Sequence, residues 1–191
     1  MIILAANYKE MNSDSLYRLR YPIGEFISPE NPDKSLIDSY IATIEKLPAR
    51  LRLEVAGLNE LQLDTPYRPD GWSVRQVVHH LADSHMNSYC RFKLTVTESK
   101  PAIKPYLEEL WAVTEDGKNA PVWMSLNLLD ALHHRWIIFL RSLTPDQLER
   151  TYFHPQNNKF FNLKVALALY AWHGDHHLAH ITELKKIKNW D

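Results

Sequence analysis

Four histidines fall within the eight residues from 173 to 180 of this 191-residue chain. Imidazole is the side chain that most often binds transition metals in proteins. His173 and His177 stand four residues apart, so a helix would place both rings on one face, where they could bind the same ion. The third ligand would then come from elsewhere, and the histidines at positions 79, 80 and 85 are the obvious source.

Helical geometry places most of these C-terminal histidines on an apolar face. At about 100° per residue, His177 and His180 fall in the same stripe as His173 and Ala166, while His176 lies at its edge. A buried polar group without a partner costs roughly 1–3 kcal/mol, and a shared metal ion would satisfy two rings at once. Ordinary hydrogen-bonded core histidines are the alternative. The segment lacks the glutamate of H-E-x-x-H, so it does not support a zincin mechanism.

The other cluster leaves the third ligand open. On a helix that begins at Ser73, His85 shares the apolar face of Leu81, and periodicity therefore favours His85. His80 lies about 140° away from His85, at the border of that face, but a bundle helix has two neighbours and a flanking position can also point inward. His79 lies on the other side and is expected to meet solvent.

The remaining histidines and the cysteine carry no comparable pattern. His133 and His134 are expected to be ordinary polar positions on a helix, and His154, which precedes a proline, to be exposed in a loop. Cys90 is the only cysteine, so an internal disulfide cannot form, which is typical of proteins from a reducing compartment.

Composition indicates a globular protein and argues against several classes of function. Apolar residues make up 45% of the chain, and the net charge of −1 shows none of the basic surplus typical of nucleic-acid binding. Neither a G-x-G-x-x-G nor a P-loop motif occurs. No apolar run approaches the roughly 20 residues that span a bilayer, and residues 1–6 do not resemble a signal peptide. We therefore expect a cytoplasmic protein with neither membrane nor nucleic acid as partner.

Apolar periodicity predicts four long helices, which is typical of an all-α helix bundle. The first contains Pro48, where a break or kink is expected. The second begins at Ser73, and Gln76 completes a capping box with it. The predicted helices cover residues 36–58, 73 to between 97 and 101, 125–143 and 163–188.

Irregular segments are expected between these helices. Residues 1–20 are predicted to be an irregular N-terminal extension, and residues 21–191 a single domain that opens with a proline-rich arm. The connection over 100–121 is unusually long and suggests a crossing bundle rather than simple up-and-down order. The shorter segments are a loop over 61–71, a helical turn over 145–150 and a loop or hairpin over 151–162.

Three separated motifs resemble the YfiT group of the DinB-like superfamily. They read YPIGE at 21–25, GWSVRQVVHHLADSHMNSY at 71–89, and YAWH followed by HHLAHI between 170 and 181. The likeness covers roughly residues 21–190, whereas the first twenty residues have no recognised counterpart. Three motifs in the same order are much more specific than a His-x-x-x-His spacing alone.

The resemblance implies a four-helix bundle with a crossing connection, usually a homodimer, that binds one divalent metal ion, zinc or nickel, per subunit. Carried over by motif, the ligands are His80, His173 and His177. Motif and periodicity agree on the last helix and disagree on the helix from Ser73, where we follow the motif. Members of this group are described as metal-dependent hydrolases, and relatives as transferases that use low-molecular-weight thiols such as bacillithiol.

We therefore expect a metal-dependent hydrolase acting on a small molecule, because three protein ligands leave a coordination position open for water. The first alternative is a thiol S-transferase, in which Arg75 or Arg91 could line a recess for the carboxylates of the thiol, although solvated helix charges are the simpler interpretation. The second is a non-catalytic, metal-stabilised dimeric bundle with His85 or His180 as fourth ligand. The sequence does not identify a general acid or base.

Overall fold

The computed structural model describes residues 13–190, which are predominantly helical. Four long helices form a bundle, and short helices and one hairpin connect them. In chain order, the elements are α1 (Ser13–Arg20), α2 (Lys34–Val55), α3 (Glu60–Leu63), α4 (Val74–Thr97), α5 (Glu108–Trp111), α6 (Glu115–Asn119), α7 (Val122–Ser142), α8 (Pro145–Leu148), β1 (Thr151–His154), β2 (Lys159–Asn162) and α9 (Leu163–Lys188).

The bundle confirms the predicted fold class. Helix α2 packs against both α7 and α9, and α4 packs against the same two helices. Successive long helices α2 and α4 therefore lie on one diagonal of the bundle, and α7 and α9 lie on the other. The crossings are thus made by the connections before α4 and before α9, whereas the long segment over 98–121 joins the neighbours α4 and α7. We had expected that long segment to make the crossing.

Side-chain caps define the starts of α4 and α9, and the cap of α4 is the one that the sequence predicted. The Ser73 hydroxyl accepts a hydrogen bond from the Gln76 backbone N–H, and the Gln76 side chain accepts one from the Ser73 N–H, which completes the capping box of α4. Asn162 caps α9 by accepting from two backbone N–H groups of its first turn. These bonds satisfy donors that a helix start otherwise leaves unpaired.

Helix α2 continues through Pro48, so of the break or kink that we expected there the break is absent and the helix is single. Proline has no backbone N–H, and the carbonyl group four residues earlier, that of Ile44, therefore lacks its regular helical donor. That carbonyl instead accepts a hydrogen bond from His133 Nδ1 of α7 at 2.7 Å. A ring from a neighbouring helix thus compensates the missing backbone bond.

Several segments that we expected to be irregular contain short helices. Helix α1 occupies residues 13–20 of the predicted extension, and residues 1–12 lie outside the described part of the chain. Helix α3 interrupts the predicted loop over 61–71, and α5 and α6 lie within the long connection. Strands β1 and β2 pair antiparallel, which confirms a hairpin over 151–162. The single domain over 21–191 stays a prediction.

The apolar core forms two clusters, one toward each end of the bundle. One cluster surrounds Phe92 and Trp136, and the other surrounds Leu51 and Leu81. Along α7 and α9, the residues of the two clusters are separated by histidines. The buried histidines therefore form a layer across the middle of the bundle.

None of the helices described between residues 13 and 190 is both long enough and apolar enough to cross a bilayer.

Candidate metal centre

Three histidine rings from two helices converge in the middle of the bundle: His80 of α4 and His173 and His177 of α9. One ring nitrogen of each lies within 4.8 Å of those of the other two, and within residues 13–190 no other group of three or more potential ligand side chains meets this criterion. We call these residues the triad. The structure brings together the three positions that the motif nominated, with His80 rather than His85 as the residue from α4.

The nitrogen spacing in the triad fits a shared ion. Nε2 of His80 and Nε2 of His173 are 3.2 Å apart. Two nitrogens bound at about 2.0–2.1 Å to one tetrahedral zinc ion would lie about 3.3 Å apart. In addition, Nδ1 of His177 is buried and has no hydrogen-bond partner among the described residues. The triad thus contains binding capacity that the protein's own hydrogen bonds leave unused.

Burial keeps the triad in the form that binds metals. It lowers the pKa of His80 to about 3, with a smaller contribution from His176. Burial also holds the pKa values of His173 and His177 well below the ordinary histidine value, and the neighbouring imidazoles lower them further. All three rings are therefore neutral near pH 7, and a neutral imidazole offers a lone pair to a cation.

Two close contacts set the position of the triad. Gly174 lets α9 approach α2, because a Cβ atom at this position would lie 2.7 Å from Cδ2 of Leu47. The Trp72 ring, just before α4, packs 4.5 Å from the ring of His80 and stacks 6.1 Å from that of His177, measured between ring centroids. Trp72 is therefore a wall of the site.

A cavity of about 270 Å³ opens onto the triad. Its size suits a small molecule. The triad, two further histidines, aromatic rings and charged side chains of both signs line it: Arg20, Tyr21, Tyr67, Arg68, Asp70, Trp72, His80, Glu108, Glu109, Trp172, His173, His176, His177 and His180.

A larger cavity of about 550 Å³ lies on another side of His173. Arg91 and His154 line it, and it shares His173, Glu108 and Glu109 with the first cavity. The Nε atom of Arg91 and Nδ1 of His154 are buried without hydrogen-bond partners in the described structure. His173 therefore stands between two cavities, which explains why it is only half-buried.

The two histidines considered as a fourth ligand lie outside the triad and make other contacts. Nε2 of His180 lies 3.1 Å from the carbonyl oxygen of Arg20, and its ring stacks on Tyr67 at 3.9 Å between centroids. His85 contacts Nδ1 of His173, whereas the nitrogen of His173 nearest His80 is Nε2. Among the described side chains, neither joins the group that could share an ion.

Three expectations about other histidines were wrong. His79 is buried, and its ring nitrogens lie 2.7 Å from Ser125 Oγ and 3.0 Å from the Ala120 carbonyl oxygen. His133 is buried against His85 rather than being an ordinary polar position, and His154 is half-buried rather than exposed. Periodicity assumed one buried face for each helix, whereas α6 covers a further side of α4. His134 is exposed, as expected.

The two arginines considered for a thiol recess have different surroundings. Arg75 is buried away from both cavities, where it forms ion pairs with Glu60 and with Asp64, the latter at 2.7 Å, and donates to the carbonyl oxygen of Ala120. It therefore stabilises the connections around α4, and neither of our interpretations was correct for it. Arg91 lines the larger cavity beside His173. Cys90 is an exposed free thiol.

Comparison with known proteins agrees with this architecture. Residues 43–181 match the model of the DinB superfamily. The chain is 51% identical over 172 residues to "Putative metal-dependent hydrolase YfiT" of Bacillus subtilis strain 168, covering 90% of this chain and 97% of that protein. It is 54% identical over 172 residues to a "Putative metal-dependent hydrolase" of Bacillus cereus strain ATCC 14579, covering 90% of this chain and 98% of that protein.

A solved structure is also similar. It is that of YfiT from Bacillus subtilis, described as "a probable metal-dependent hydrolase with an unusual four-helix bundle topology". The two structures superpose with a TM-score of 0.89 at 50% identity, over 91% of this chain and 99% of that one. The likeness therefore extends across nearly the whole bundle.

Proposed function

This chain belongs to the DinB superfamily, and on that premise we propose that it is a metal-dependent hydrolase in which His80, His173 and His177 bind one divalent cation. The observation that carries the proposal is the convergence of three neutral imidazoles on one point beside a cavity. The names of the relatives support the same reaction class.

The side chains around the triad suit a hydrolytic site. A bound ion would act as a Lewis acid and bring the pKa of a coordinated water toward about 7. Three protein ligands leave room for that water, which is typical of catalytic rather than structural sites. The aromatic side chains of Trp72, Trp172 and Tyr67 line the cavity and offer an apolar surface to a substrate.

The charges at the cavity bear on the substrate. Arg20 and Arg68 contribute positive charge, whereas Asp70, Glu108 and Glu109 contribute negative charge. Since neither sign dominates, this cavity does not select strongly for an anion or a cation. We therefore propose a small electrophilic substrate without a high net charge.

Metal analysis tests the ligand assignment. Purified protein should contain about one zinc or nickel ion per subunit, because neutral imidazoles suit both metals. We expect His80→Ala, His173→Ala and His177→Ala to lose the ion. His134→Ala is the matched control and should retain it, because its side chain is exposed on α7. Full metal stoichiometry in both His80→Ala and His173→Ala would reject the proposal.

A thiol S-transferase is the second candidate. The observation that favours it is Arg91, whose unpartnered Nε lines the larger cavity next to His173 and could receive a carboxylate of a thiol cofactor. Incubation of the metal-loaded protein with a small electrophile, with and without bacillithiol, separates the two reactions. Turnover in buffer alone supports hydrolysis, whereas turnover that requires the thiol supports transfer.

A non-catalytic, metal-stabilised bundle is less well supported, because His85 and His180 have other partners and do not close the site. The homodimer, the cytoplasmic location and the absence of a nucleic-acid partner stay predictions. Light scattering coupled to size-exclusion chromatography would test the first of them.

A further inference from the structure

Three histidine rings form a continuous hydrogen-bonded path from the triad to α2. Nδ1 of His173 lies 3.4 Å from Nε2 of His85. Nδ1 of His85 lies 3.0 Å from Nε2 of His133, and Nδ1 of His133 lies 2.7 Å from the carbonyl oxygen of Ile44. We call these three residues the histidine chain.

The carbonyl oxygen at the end of the path determines the direction of every bond in it. A carbonyl oxygen only accepts, so His133 donates from Nδ1 and, as a neutral ring, accepts at Nε2. His85 must then donate from Nδ1 and accept at Nε2. By the same rule His173 donates from Nδ1, which leaves the lone pair on its Nε2. That nitrogen is the one that lies 3.2 Å from Nε2 of His80.

The alternation requires each ring of the histidine chain to hold one proton, because a doubly protonated ring has no lone pair with which to accept from the next ring. At His133, the ring farthest from the triad, burial lowers the pKa to about 4, and the hydrogen bond to the Ile44 carbonyl opposes part of this change.

Packing holds the middle ring in place. The rings of His85 and His133 are nearly parallel, with centroids 5.0 Å apart and an interplanar angle of 12°. Trp136 and Tyr170 stand almost perpendicular to the His85 ring, with centroids 5.8 Å and 5.3 Å away. These close neighbours restrict movement of the His85 ring, so its nitrogens stay aligned with those of His173 and His133.

Pro48 supplies the acceptor at the far end. Within α2 the Ile44 carbonyl would normally accept from the backbone N–H of residue 48, which proline lacks. A proline inside a helix costs about 3 kcal/mol relative to alanine. The hydrogen bond from His133 gives the Ile44 carbonyl a donor in place of the missing backbone N–H.

We propose that His85 and His133 are positioning residues, anchored on the Ile44 carbonyl, that hold His173 in the tautomer and orientation that directs its Nε2 lone pair into the triad. This inference rests on the proposed metal site. Neither residue contacts the ion. Each acts through the outer nitrogen of the next ring, and loss of such a partner typically lowers metal affinity about 10–100-fold.

Paired substitutions separate hydrogen bonding from packing. His85→Leu removes both bonds of the middle ring, whereas His85→Gln offers a carbonyl acceptor and an amide donor in their place. His133→Leu and His133→Gln form a second pair one ring further from the triad. His134→Ala, exposed on the same helix as His133, is the control.

Two measurements test the effect of these substitutions. Long-range ¹H–¹⁵N correlation spectra of metal-free protein labelled at histidine report the tautomer of His173, and competition with a chelator gives the zinc dissociation constant. We expect wild-type His173 to carry its proton on Nδ1. His85→Leu and His133→Leu should redistribute this proton and weaken zinc binding about 10–100-fold, and the glutamine variants should recover most of the affinity.

Unchanged tautomer and zinc affinity in folded His85→Leu and His133→Leu would overturn the inference. Circular dichroism establishes folding, and if a leucine variant does not fold, loss of the His173 tautomer in folded His85→Gln or His133→Gln has the same consequence. Failure of wild-type protein to bind zinc or nickel would instead contradict the proposed function. The tautomer of His173 in metal-free protein would then still decide whether the histidine chain exists.

Discussion

The triad and the adjacent pair His85 and His133 contain the same residue type at similar depth, yet they differ in how their nitrogens are satisfied. Both nitrogens of His85 and both of His133 have partners within the protein. In the triad, His177 has a buried nitrogen without one. Burial alone therefore does not distinguish a candidate ligand from a supporting histidine. An unpartnered nitrogen does not either, since Nδ1 of His176 and of His180 is also buried without a partner among the described residues. The convergence of three ring nitrogens within 4.8 Å of one another makes the distinction.

Access from the cavity also distinguishes the triad from the pair. The triad borders a cavity of about 270 Å³, whereas His85 is fully buried and enclosed by Trp136 and Tyr170. A substrate can thus reach the triad but not the pair. The same layer of histidines serves two purposes: one part faces the cavity, and the other holds it in position.

Acidification should have the largest of the predicted effects. It should lower the free energy of unfolding, because the triad and the pair both contain buried neutral imidazoles. Burial lowers the pKa of His80 to about 3 and of His133 to about 4, while an unfolded histidine titrates at about 6.5. Below about pH 6.5 the unfolded chain binds protons that the folded chain does not, so stability present above this pH falls as the pH decreases. Between pH 7.5 and 5.5, each such histidine contributes about 1.4 kcal/mol in total.

Urea unfolding of the metal-free protein at pH 7.5 and 5.5 checks this prediction, and we expect a loss of several kcal/mol. His133→Gln should reduce this loss by about 1.4 kcal/mol, which is the share of one histidine over the two pH units. His134→Ala should leave it unchanged, since that side chain is exposed. A free energy of unfolding that is equal at both pH values would contradict the prediction.

Gly174→Ala should disturb the triad more than the pair. The new Cβ would meet Leu47 Cδ2 at 2.7 Å, and overpacking of this kind costs about 1–3 kcal/mol. The better helix propensity of alanine offsets about 1 kcal/mol, so we expect a net loss of about 1 kcal/mol in unfolding free energy. Zinc affinity should fall with it, because His173 adjoins the displaced position.

The Leu47→Ala background provides the control. With the clash removed, Gly174→Ala should no longer destabilise, so the two substitutions should be strongly non-additive. Equal effects of Gly174→Ala in both backgrounds would show that the close approach of α2 and α9 is unimportant.

Pro48→Ala should have the smallest of the predicted effects. It should act on the pair through His133, and only through the pair on the triad. It restores an N–H that can donate to the Ile44 carbonyl, but that oxygen has two lone pairs and can still accept from His133. We therefore expect zinc affinity to fall by about twofold. In a His133→Leu background, the same substitution should change zinc affinity no further. A large loss of affinity in that background would mean that Pro48 acts by another route.

Local features of the chain were predicted well. Helix α9 has the predicted bounds of 163–188, and α4 starts with the predicted capping box at Ser73. His173 and His177 share a face because they stand four residues apart on that helix. Helical periodicity and capping depend on a few adjacent residues, so they can be read directly from sequence.

The histidine that α4 contributes to the triad could not be predicted from periodicity or capping. Periodicity favoured His85, and only the motif resemblance nominated His80. The structure brings His80 into the triad and places His85 behind His173. Both rings therefore point inward from α4, toward different partners, and no hydrophobic pattern along one helix contains that information.

The amino-acid sequence by itself determined the long helices, the capping box of α4 and the shared face of His173 and His177, because these follow from interactions within a few residues. Only the tertiary structure decided which histidine of α4 meets that pair. It also decided that the carbonyl freed by Pro48 receives its donor from His133, 89 residues beyond Ile44. Such contacts depend on which helices become neighbours and on how closely they pack, and no local periodicity specifies either.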